Sequence, residues 1–499
     1  MEKNTQYFET VIIGTGFSGL LAAIRLKKKN CTDFVLLERW SDIGGTWKDN
    51  TYPGAEVDVP TGLYSVSFIP YKFKKTFAPQ SELLAYTNYI IDKFDIRKYT
   101  RVNQNVTKLT YNENECLWHV EVASGENYTA RFIIDTSGVL ANPKTPYIKG
   151  AETFLGEKFH TAQWDHNVPY KGKKIGVIGS GCSGVQVVSA IADQVDRLTV
   201  FTRTPEWILP RSDRTYSTLE QVIINLPVIR QLNRFMIFMV HEVRFIGFRR
   251  IPFTLKLSGL IKKLYARSLR RNLEKYIDDD NLRQFLMPDY ELGCRRVIPT
   301  NSYLPALSRD NVDVDISGIE TITPTGIRTK EGKDIPLDII VYATGFFAYS
   351  NAKKMLPFEV YGIGGRNLNA EWEIEAVSYK GITVSGFPNY FKINGPNTGT
   401  GHSSQLCYME AMAKYTVQAI CAVNRDKTIK AIDVKPEVQK DYVAEVRKNL
   451  KKTVWQSSQT KSFYRRNMTG DVTSLSPESV VYFIFSRKWF HLKDYDLLK

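Results

Sequence analysis

Two glycine-rich loops, about 165 residues apart, have the residue types that hold the pyrophosphate of a dinucleotide. The first is GTGFSG at residues 14–19, after the apolar run 11–13, and the second is GSGCSG at residues 179–184, after the run 175–178. A GxGxxG that leaves a strand and opens a helix brings backbone N–H groups to a pyrophosphate, at the helix end that favours negative charge. Two such loops predict two bound dinucleotides and electron transfer between them.

The residue that follows the second strand of each unit indicates which dinucleotide the unit takes. Glu38 ends an apolar run about twenty residues past the first loop, where a carboxylate accepts hydrogen bonds from ribose hydroxyls. Arg203 and Thr204 end the corresponding run of the second unit, where a guanidinium and a hydroxyl suit a 2′-phosphate. We therefore expect FAD at the first site and NADP at the second. The alternative for Arg203 is a solvated loop arginine.

The composition is typical of a large globular chain. With 499 residues, 43% hydrophobic and 24% charged, there is room for two to four domains. The six cysteines form no CxxC pair and have no zinc-ligand spacing, which predicts a reducing compartment and no bound metal. A flavoprotein disulfide reductase needs a close cysteine pair near the flavin. The stretch after Glu38 has none, which disfavours that class.

The chain runs polar into its first apolar segment, with no leader pattern, and no window reaches the ~18 apolar residues of a membrane span, so we expect a cytoplasmic protein. The net charge of +15 is not arranged as a known nucleic-acid module, so no nucleic acid is expected. Lysines and arginines at 230–283 alternate with apolar stretches such as 235–240 and 255–261. This pattern predicts amphipathic helices with a basic face. They form either a lobe with its apolar faces packed inward or a peripheral membrane contact that collects apolar substrate.

The order of these segments predicts an α/β fold with two Rossmann-like dinucleotide-binding domains and a helical insert. The FAD-binding domain is expected to comprise residues 1–150 and 346–499. The NADP-binding domain is expected to comprise 151–212 and 291–345, with a helical subdomain at 213–290 inserted in it. The sequence does not indicate an oligomeric state.

Two longer motifs resemble the fingerprints of type I Baeyer–Villiger monooxygenases. Residues 154–165 match FxGxxxHxxxW(P/D), and residues 44–58 match (A/G)GxWxxxx(F/Y)P(G/M)xxxD at every defined place. The resemblance covers the whole chain, from Gly14 to the turn at 395–397. Related flavin monooxygenases of amines and sulfides share both glycine loops but usually end the first fingerprint with another aromatic and no acid. The defined fingerprint positions are Phe154, Gly156, His160, Trp164 and Asp165.

The resemblance implies an enzyme that uses FAD, NADPH and O2 to insert one oxygen atom next to the carbonyl of a small apolar ketone. The product is an ester or lactone, formed through a C4a-peroxyflavin. Such a site must hold a negative peroxide, stabilise an oxyanion and exclude water. Family position assigns the required fixed cation to Arg296, with Asp58 to orient it, and makes His160 a linker residue that positions the NADP domain. A plain structural histidine is the alternative for His160.

Cofactor contacts also follow from the resemblance, residue by residue. For FAD they are Gly14, Gly16, Phe17, Gly19, Glu38, Gly45, Thr46, Trp47, Asp58, Tyr64 and Val106. For NADP they are Gly179, Gly181, Ser183, Gly184, Gln186, Arg203, Thr204, Arg295 and Arg296.

Two positions depart from the family pattern. Arg295 stands where a lysine commonly assists the 2′-phosphate, which keeps the charge but changes its reach and geometry. Phe463 stands where many members have a tryptophan whose indole N–H bonds the nicotinamide ribose, and phenylalanine has no donor. Either NADP+ is held more loosely, or Tyr464 compensates. Two other functions stay open: oxygenation mainly of sulfides or amines, and simple NADPH oxidation. A non-catalytic nucleotide-binding protein is disfavoured by the intact loops together with Arg296 and Asp58.

Overall fold

A computed structural model describes residues 5–347, 356–457, 462, 464–465 and 470–499. Phe463 lies outside the described residues. The strands are β1 (Thr5–Ile13), β2 (Phe34–Leu37), β3 (Thr100–Arg101), β4 (Val106–Asn112), β5 (Leu117–Val122), β6 (Asn127–Asp135), β7 (Glu157–His160), β8 (Lys174–Ile178), β9 (Arg197–Phe201), β10 (Ile208–Leu209), β11 (Ile298–Pro299), β12 (Val312–Asp315), β13 (Ile319–Thr323), β14 (Gly326–Thr329), β15 (Asp334–Pro336), β16 (Ile339–Tyr342), β17 (Glu359–Tyr361), β18 (Tyr390–Lys392), β19 (Ala431–Val434) and β20 (Tyr495–Leu498). The helices are α1 (Phe17–Lys27), α2 (Thr46–Asp49), α3 (Gln80–Lys93), α4 (Cys182–Ile191), α5 (Thr218–Asn225), α6 (Pro227–Phe248), α7 (Pro252–Tyr276), α8 (Asp280–Leu286), α9 (Tyr303–Leu307), α10 (Leu368–Ile374), α11 (Gln405–Arg425), α12 (Pro436–Leu450), α13 (Val454–Ser457) and α14 (Val480–Ser486).

The first glycine loop follows the C-terminal end of β1, a central strand of the largest sheet. The strand order of this sheet is β17-β4-β5-β6-β1-β2-β3, with β18 also paired to β6. β1 runs parallel to both β2 and β6. The apolar end of β1 is buried, and so is almost all of α1, which packs against α11. The buried end of β1 ends in the apolar run Val11-Ile12-Ile13, as expected for a strand segment covered on both faces. The sheet takes strands from the early and the late parts of the chain, so its core depends on both.

The second glycine loop lies at the end of a separate parallel sheet of order β12-β9-β8-β16-β7. β8, β9 and β16 are almost entirely buried apolar segments, and α4 follows β8 directly through the loop. The predicted α/β architecture with two dinucleotide-binding units is therefore present, and the first sheet is mixed because β5 runs antiparallel to β4 and β6. The exact domain boundaries stay predictions.

The predicted helical insert consists of α5, α6, α7 and α8. Among the described residues, no single helix is both long and apolar enough to cross a bilayer. The pair α5 and α6 reaches that length and composition only when taken together, and the two helices meet at a bend of 88°.

A buried ion pair joins the two chain segments of the largest sheet. Lys392 ends β18 and lies beside Asp135 at the end of β6, with 2.8 Å between the ammonium and the carboxylate. The Tyr390 hydroxyl donates to the same carboxylate over 2.6 Å. Burial alone would raise the pKa of Asp135, but Lys392 and the hydrogen bonds outweigh it and lower the pKa. The next residue, Thr136, donates to the backbone oxygen of Ile13, so the pair supports the strand end that carries the first glycine loop.

We predict that Lys392→Met lowers the free energy of unfolding by about 3–5 kcal/mol, because it leaves the Asp135 charge buried without an opposite charge. Urea denaturation followed by circular dichroism measures the change. The double variant Asp135→Asn/Lys392→Met is the control and should recover most of the loss. A stability of Lys392→Met equal to that of the unaltered protein would show that the pair does not hold this sheet together.

Candidate active site

A single continuous cavity of about 1210 Å³ runs along both glycine loops. Every residue predicted to contact a cofactor lines this cavity except Gly19 and Gly184. These two glycines lie behind the loops, where helix and strand approach closely. A Cβ on Gly19 would lie 2.1 Å from the Gly14 oxygen, and one on Gly184 would lie 2.1 Å from the Gly179 oxygen. Both are needed for close helix–strand packing, as the glycine pattern requires.

The first loop has the groups that suit a flavin adenine dinucleotide. The Glu38 carboxylate is buried at the end of β2 and accepts hydrogen bonds from the Thr15 N–H (3.1 Å) and the Trp40 N–H (3.1 Å). The Thr15 hydroxyl also donates to it. A carboxylate has about four acceptor sites, so its protein partners leave capacity for a ribose hydroxyl. The loop therefore fixes Glu38 at the position expected for ribose recognition.

The second loop leaves room where a pyrophosphate would approach. A Cβ placed on Gly181, just before α4, would meet no atom within 4 Å, so the space in front of the helix is open. Arg203 and Thr204 follow β9 at the cavity wall, with the Arg203 side chain exposed. The Ser180 hydroxyl lies 2.6 Å from the Thr202 hydroxyl and ties the loop to the segment that carries Arg203. This arrangement fits a dinucleotide with a 2′-phosphate.

Arg296 and Asp58 form a two-pronged ion pair in the cavity between the loops. Nη2 of Arg296 donates to one Asp58 oxygen over 2.7 Å, and Nε donates to the other. Nη1 faces the Thr400 carbonyl at 3.5 Å. Since both prongs of the carboxylate are used, the plane of the guanidinium is fixed. The sequence-based pairing of Asp58 with Arg296 is thus present as a contact.

The electrostatics of this pair keep the cation charged. Burial would raise the pKa of Asp58, but the Arg296 guanidinium outweighs burial and lowers it. Burial would lower the pKa of Arg296, but Asp58 outweighs that effect and raises it well above the ordinary value. About a quarter of each side chain still faces the cavity, at 29% exposed for Arg296 and 22% for Asp58. The site therefore presents a permanent, oriented positive charge to whatever fills the cavity.

Aromatic side chains adjoin the cation on the first-loop side. Trp47, in α2, is nearly buried and donates its indole N–H to the Tyr64 hydroxyl over 3.2 Å. The two rings meet edge to face, with centroids 5.9 Å apart. Burial raises the pKa of Tyr64 to about 12, so this hydroxyl stays protonated. Both residues line the cavity as predicted.

The segment between Trp47 and Asp58 connects the two nucleotide units. The Tyr52 hydroxyl donates to the Gln186 side chain of α4 over 2.8 Å, and Gln186 donates back to the Glu56 carbonyl over 2.9 Å. The Glu56 carboxylate pairs with Arg211 at 2.8 Å. The second family motif, residues 44–58, therefore contacts the NADP-side unit through Tyr52 and Glu56. Its last residue, Asp58, makes the further contact with Arg296.

Arg295 does not stand alone at the proposed phosphate site. Its guanidinium pairs with Glu206 at 2.8 Å and lies over the Tyr290 ring at 5.5 Å. Tyr290 in turn donates its hydroxyl to Glu206 over 3.1 Å. Burial raises the pKa of Glu206 to about 7, although Arg295 and Tyr290 act in the opposite direction. A carboxylate beside a phosphate-binding arginine competes with the phosphate for it.

The residues of the first family fingerprint, 154–165, pack within the second nucleotide unit and do not line the cavity. None of its five defined residues, all within the described part of the chain, lines the cavity. Trp164 is buried between Phe159 and Tyr170, and Asp165 is exposed. His160 ends β7 beside Tyr342 of β16 and packs edge to face on Phe346, 5.7 Å away. Burial lowers the pKa of His160, which favours the neutral ring, so its position fits the expected linker role and not proton donation.

Tyr464, considered from the sequence as a substitute for a missing indole donor, is buried and lines the cavity near Arg296. Other cavity residues were not expected from the sequence. Glu206 follows the predicted Arg203-Thr204 pair by two residues, and its charge was the available signal. Small polar residues after the 395–397 turn complete the wall, namely Thr400, Ser403 and Gln405.

The geometry defines a two-dinucleotide oxidoreductase with a fixed cation between its cofactor sites, and comparisons agree. The family model for pyridine nucleotide-disulphide oxidoreductases matches residues 11–244, which include both glycine loops. Baeyer-Villiger monooxygenases from Streptomyces coelicolor and Pseudomonas aeruginosa are 34% and 36% identical to this chain. The first alignment covers 100% of this chain and 94% of the relative, and the second covers 95% and 88%.

A solved structure of an oxidized steroid monooxygenase bound to NADP is 26% identical and superposes with a TM-score of 0.86, over 99% of this chain and all of that one. The chain belongs to the Baeyer–Villiger monooxygenase family. This membership confirms the predicted fold class and the predicted class of enzyme, an NADPH-dependent flavoprotein monooxygenase. The match to the disulphide oxidoreductase model covers the two nucleotide-binding loops and does not imply a redox disulfide. All six cysteines are free, and Cys182 is the one among them that lines the cavity.

We predict that Arg203→Ala raises the KM for NADPH by about ten- to a hundred-fold, the range of a charge-assisted contact of roughly 1.5–3 kcal/mol. The KM for NADH should change little, because NADH has no 2′-phosphate. Steady-state oxidation of both cofactors measures this. An equal loss with NADH and NADPH would return Arg203 to the solvated-loop alternative.

We predict a pH dependence that originates at Glu206. As pH rises through about 7, Glu206 loses its proton and the carboxylate competes for Arg295, so the KM for NADPH should rise. Glu206→Gln cannot ionise and should flatten this rise, with a KM about tenfold below that of the unaltered enzyme above pH 8. NADH serves as the control, since its KM should follow the same profile in both proteins. Superimposable NADPH profiles would refute the competition.

Proposed function

We propose that this chain converts apolar ketones to esters or lactones by inserting one oxygen atom of O2 beside the carbonyl, with FAD and NADPH as cofactors. The observation that carries the proposal is the Arg296–Asp58 pair, fixed between two nucleotide loops in one cavity. FAD, reduced by NADPH, supplies the activated oxygen when bound. The work of the protein is to place the reacting groups, hold a positive charge beside them and keep water out.

Arg296 suits the electrostatic part of this work. Negative charge develops on oxygen atoms while oxygen is transferred to a carbonyl carbon, and a preorganised cation stabilises that charge without reorganising. A guanidinium does this without giving up its proton, whereas a lysine or histidine at the same place would be a better acid. Asp58 holds the guanidinium plane and does not neutralise its field completely, because about a quarter of Arg296 faces the cavity.

The cavity wall combines apolar and polar side chains in a way that favours an apolar substrate. Met409, Leu475 and Val59 line the cavity together with Tyr64, beside the polar Thr400 and Ser403. Apolar walls with a few placed polar groups are the usual form of a site for a small organic ligand. One of the similar structures is named a steroid monooxygenase and another, also 26% identical, a cyclohexanone monooxygenase, and these names support a cyclic or bulky apolar substrate.

We predict that Arg296→Ala still allows NADPH to reduce the flavin but loses ester formation by about a hundred- to a thousand-fold, the usual cost of removing one preorganised electrostatic stabiliser. NADPH consumption should then appear as hydrogen peroxide. Product ester, peroxide and NADPH are measured together with a ketone and sulfide panel.

Arg295→Ala is the matched control, since it removes an adjacent arginine assigned to NADP. It should raise the KM for NADPH and keep the yield of ester per NADPH. A normal ester yield from Arg296→Ala would contradict the proposed role. Oxidation of sulfides without any turnover of ketones by the unaltered enzyme would contradict the proposed substrate class.

A further inference from the structure

The outer side of the helical insert exposes an apolar surface that the fold leaves uncovered. Along α6, exposed apolar residues recur every three or four positions, from Val228 (79% exposed) through Phe235 (56%) to Val243 (51%). Such spacing places side chains on one face of a helix, and a soluble protein normally buries that face. Among the described side chains of α6, those that are buried are His241, Phe245 and Phe248, which lie on the opposite side. A lobe with its apolar faces packed inward, one of the two alternatives from the sequence, therefore describes only one face of α6.

Neighbouring helices extend the same surface. We define the outer apolar face as the exposed apolar residues of α5, α6, α7 and α14, with the residue between α5 and α6 and the turn after α14. They are Leu219, Val222, Ile223, Leu226, Val228, Ile229, Leu232, Phe235, Met236, Met239, Val240, Val243, Leu257, Leu260, Leu264, Val481, Tyr482, Ile484, Phe485 and Trp489. α14 is tied to α6 because the Glu242 carboxylate accepts the backbone N–H of Val480 over 2.9 Å.

The charge around the outer apolar face is mainly positive. Residues 218–276, from the start of α5 to the end of α7, contain twelve lysines and arginines and three acids, Glu220, Glu242 and Glu274. Glu220 pairs with Arg214, and Glu242 contacts the α14 backbone and His402. Lys256, Lys262 and Lys263 are exposed on α7. A face of this kind matches a surface that is apolar within and negatively charged at its rim.

We propose that the outer apolar face docks this enzyme on the surface of an anionic lipid bilayer. The apolar side chains enter the boundary between headgroups and acyl chains, and the lysines and arginines contact lipid phosphates. The 88° bend between α5 and α6 suits helices that lie along the surface. A second copy of the chain is the competing occupant. It would bring an identical excess of positive charge against this one, which is unfavourable without counter-ions.

Docking here brings the bilayer close to the cavity. On its inner side α6 contacts the segment that follows the second family motif, where Arg234 donates to the Ser65 carbonyl over 2.8 Å. The residue before Ser65 is Tyr64, which lines the cavity. Resting on the proposed function, this places the substrate class among ketones that dissolve in lipid. The docking itself is tested without a ketone, so its failure and the failure of the proposed function are distinguishable.

The test is cosedimentation of the FAD-loaded enzyme with vesicles of phosphatidylcholine containing about one-third phosphatidylglycerol. We expect binding at about 0.05 M NaCl, weaker binding at about 0.5 M, and much less binding to pure phosphatidylcholine. Phe235→Asp/Met239→Asp and, separately, Lys262→Glu/Lys263→Glu should each lower the binding constant about tenfold or more. FAD content and NADPH oxidation without vesicles should be unchanged in both.

Ile374→Asp is the control, because Ile374 on α10 is an apolar residue more exposed (79%) than Phe235 (56%) and lies outside the outer apolar face. It should bind vesicles like the unaltered enzyme. No binding to anionic vesicles at low salt overturns the proposal, and so does binding that Phe235→Asp/Met239→Asp leaves intact. Light scattering that shows a dimer dissociated by the same double variant would assign the face to a second copy instead.

Discussion

The ion pair between Arg296 and Asp58 is the interaction on which the arrangement of this enzyme depends. Asp58 ends the motif that follows the first glycine loop, and Arg296 comes from the return of the chain after the helical insert. A bidentate guanidinium–carboxylate contact fixes direction as well as distance. The hydrogen bonds of Tyr52, Gln186 and Glu56 join the two nucleotide units, and the Arg296–Asp58 pair fixes where the positive charge lies in the cavity between them.

Other residues of the same motif contact the second nucleotide unit. Tyr52, Gln186 and Glu56 form a continuous set of hydrogen bonds between the motif and α4, so the two glycine loops are held on opposite sides of one cavity. The fingerprint around His160 and Trp164 does not line that cavity; it packs around β7, the edge strand of the second sheet, and reaches the cavity only through the contact of His160 with Phe346. Geometry thus divides the two family motifs between the site itself and the framework that positions it.

The sequence was most informative where a backbone conformation or a fixed spacing is required. The glycine loops, Glu38 and the Asp58–Arg296 pairing could be predicted, because each follows from a local pattern or a family motif. Glu206 could not, since its contact with Arg295 joins segments 89 residues apart that no local pattern relates. The exposure of the apolar face of α6 could not be predicted either. A periodicity of three and four residues places side chains on one face of a helix, but it does not show whether that face meets a core or solvent.

Asp58 orients the Arg296 guanidinium and is not needed for hydride transfer. Rapid mixing of Asp58→Asn with NADPH under anaerobic conditions gives the rate of flavin reduction, and aerobic turnover gives the ester formed per NADPH. Asparagine keeps the size of the side chain but removes the charge that holds Arg296. We expect near-normal reduction and an ester yield about ten- to a hundred-fold lower, since small misplacements of a catalytic group have effects of this order. An unchanged ester yield per NADPH would show that Asp58 does not orient Arg296 for oxygen transfer.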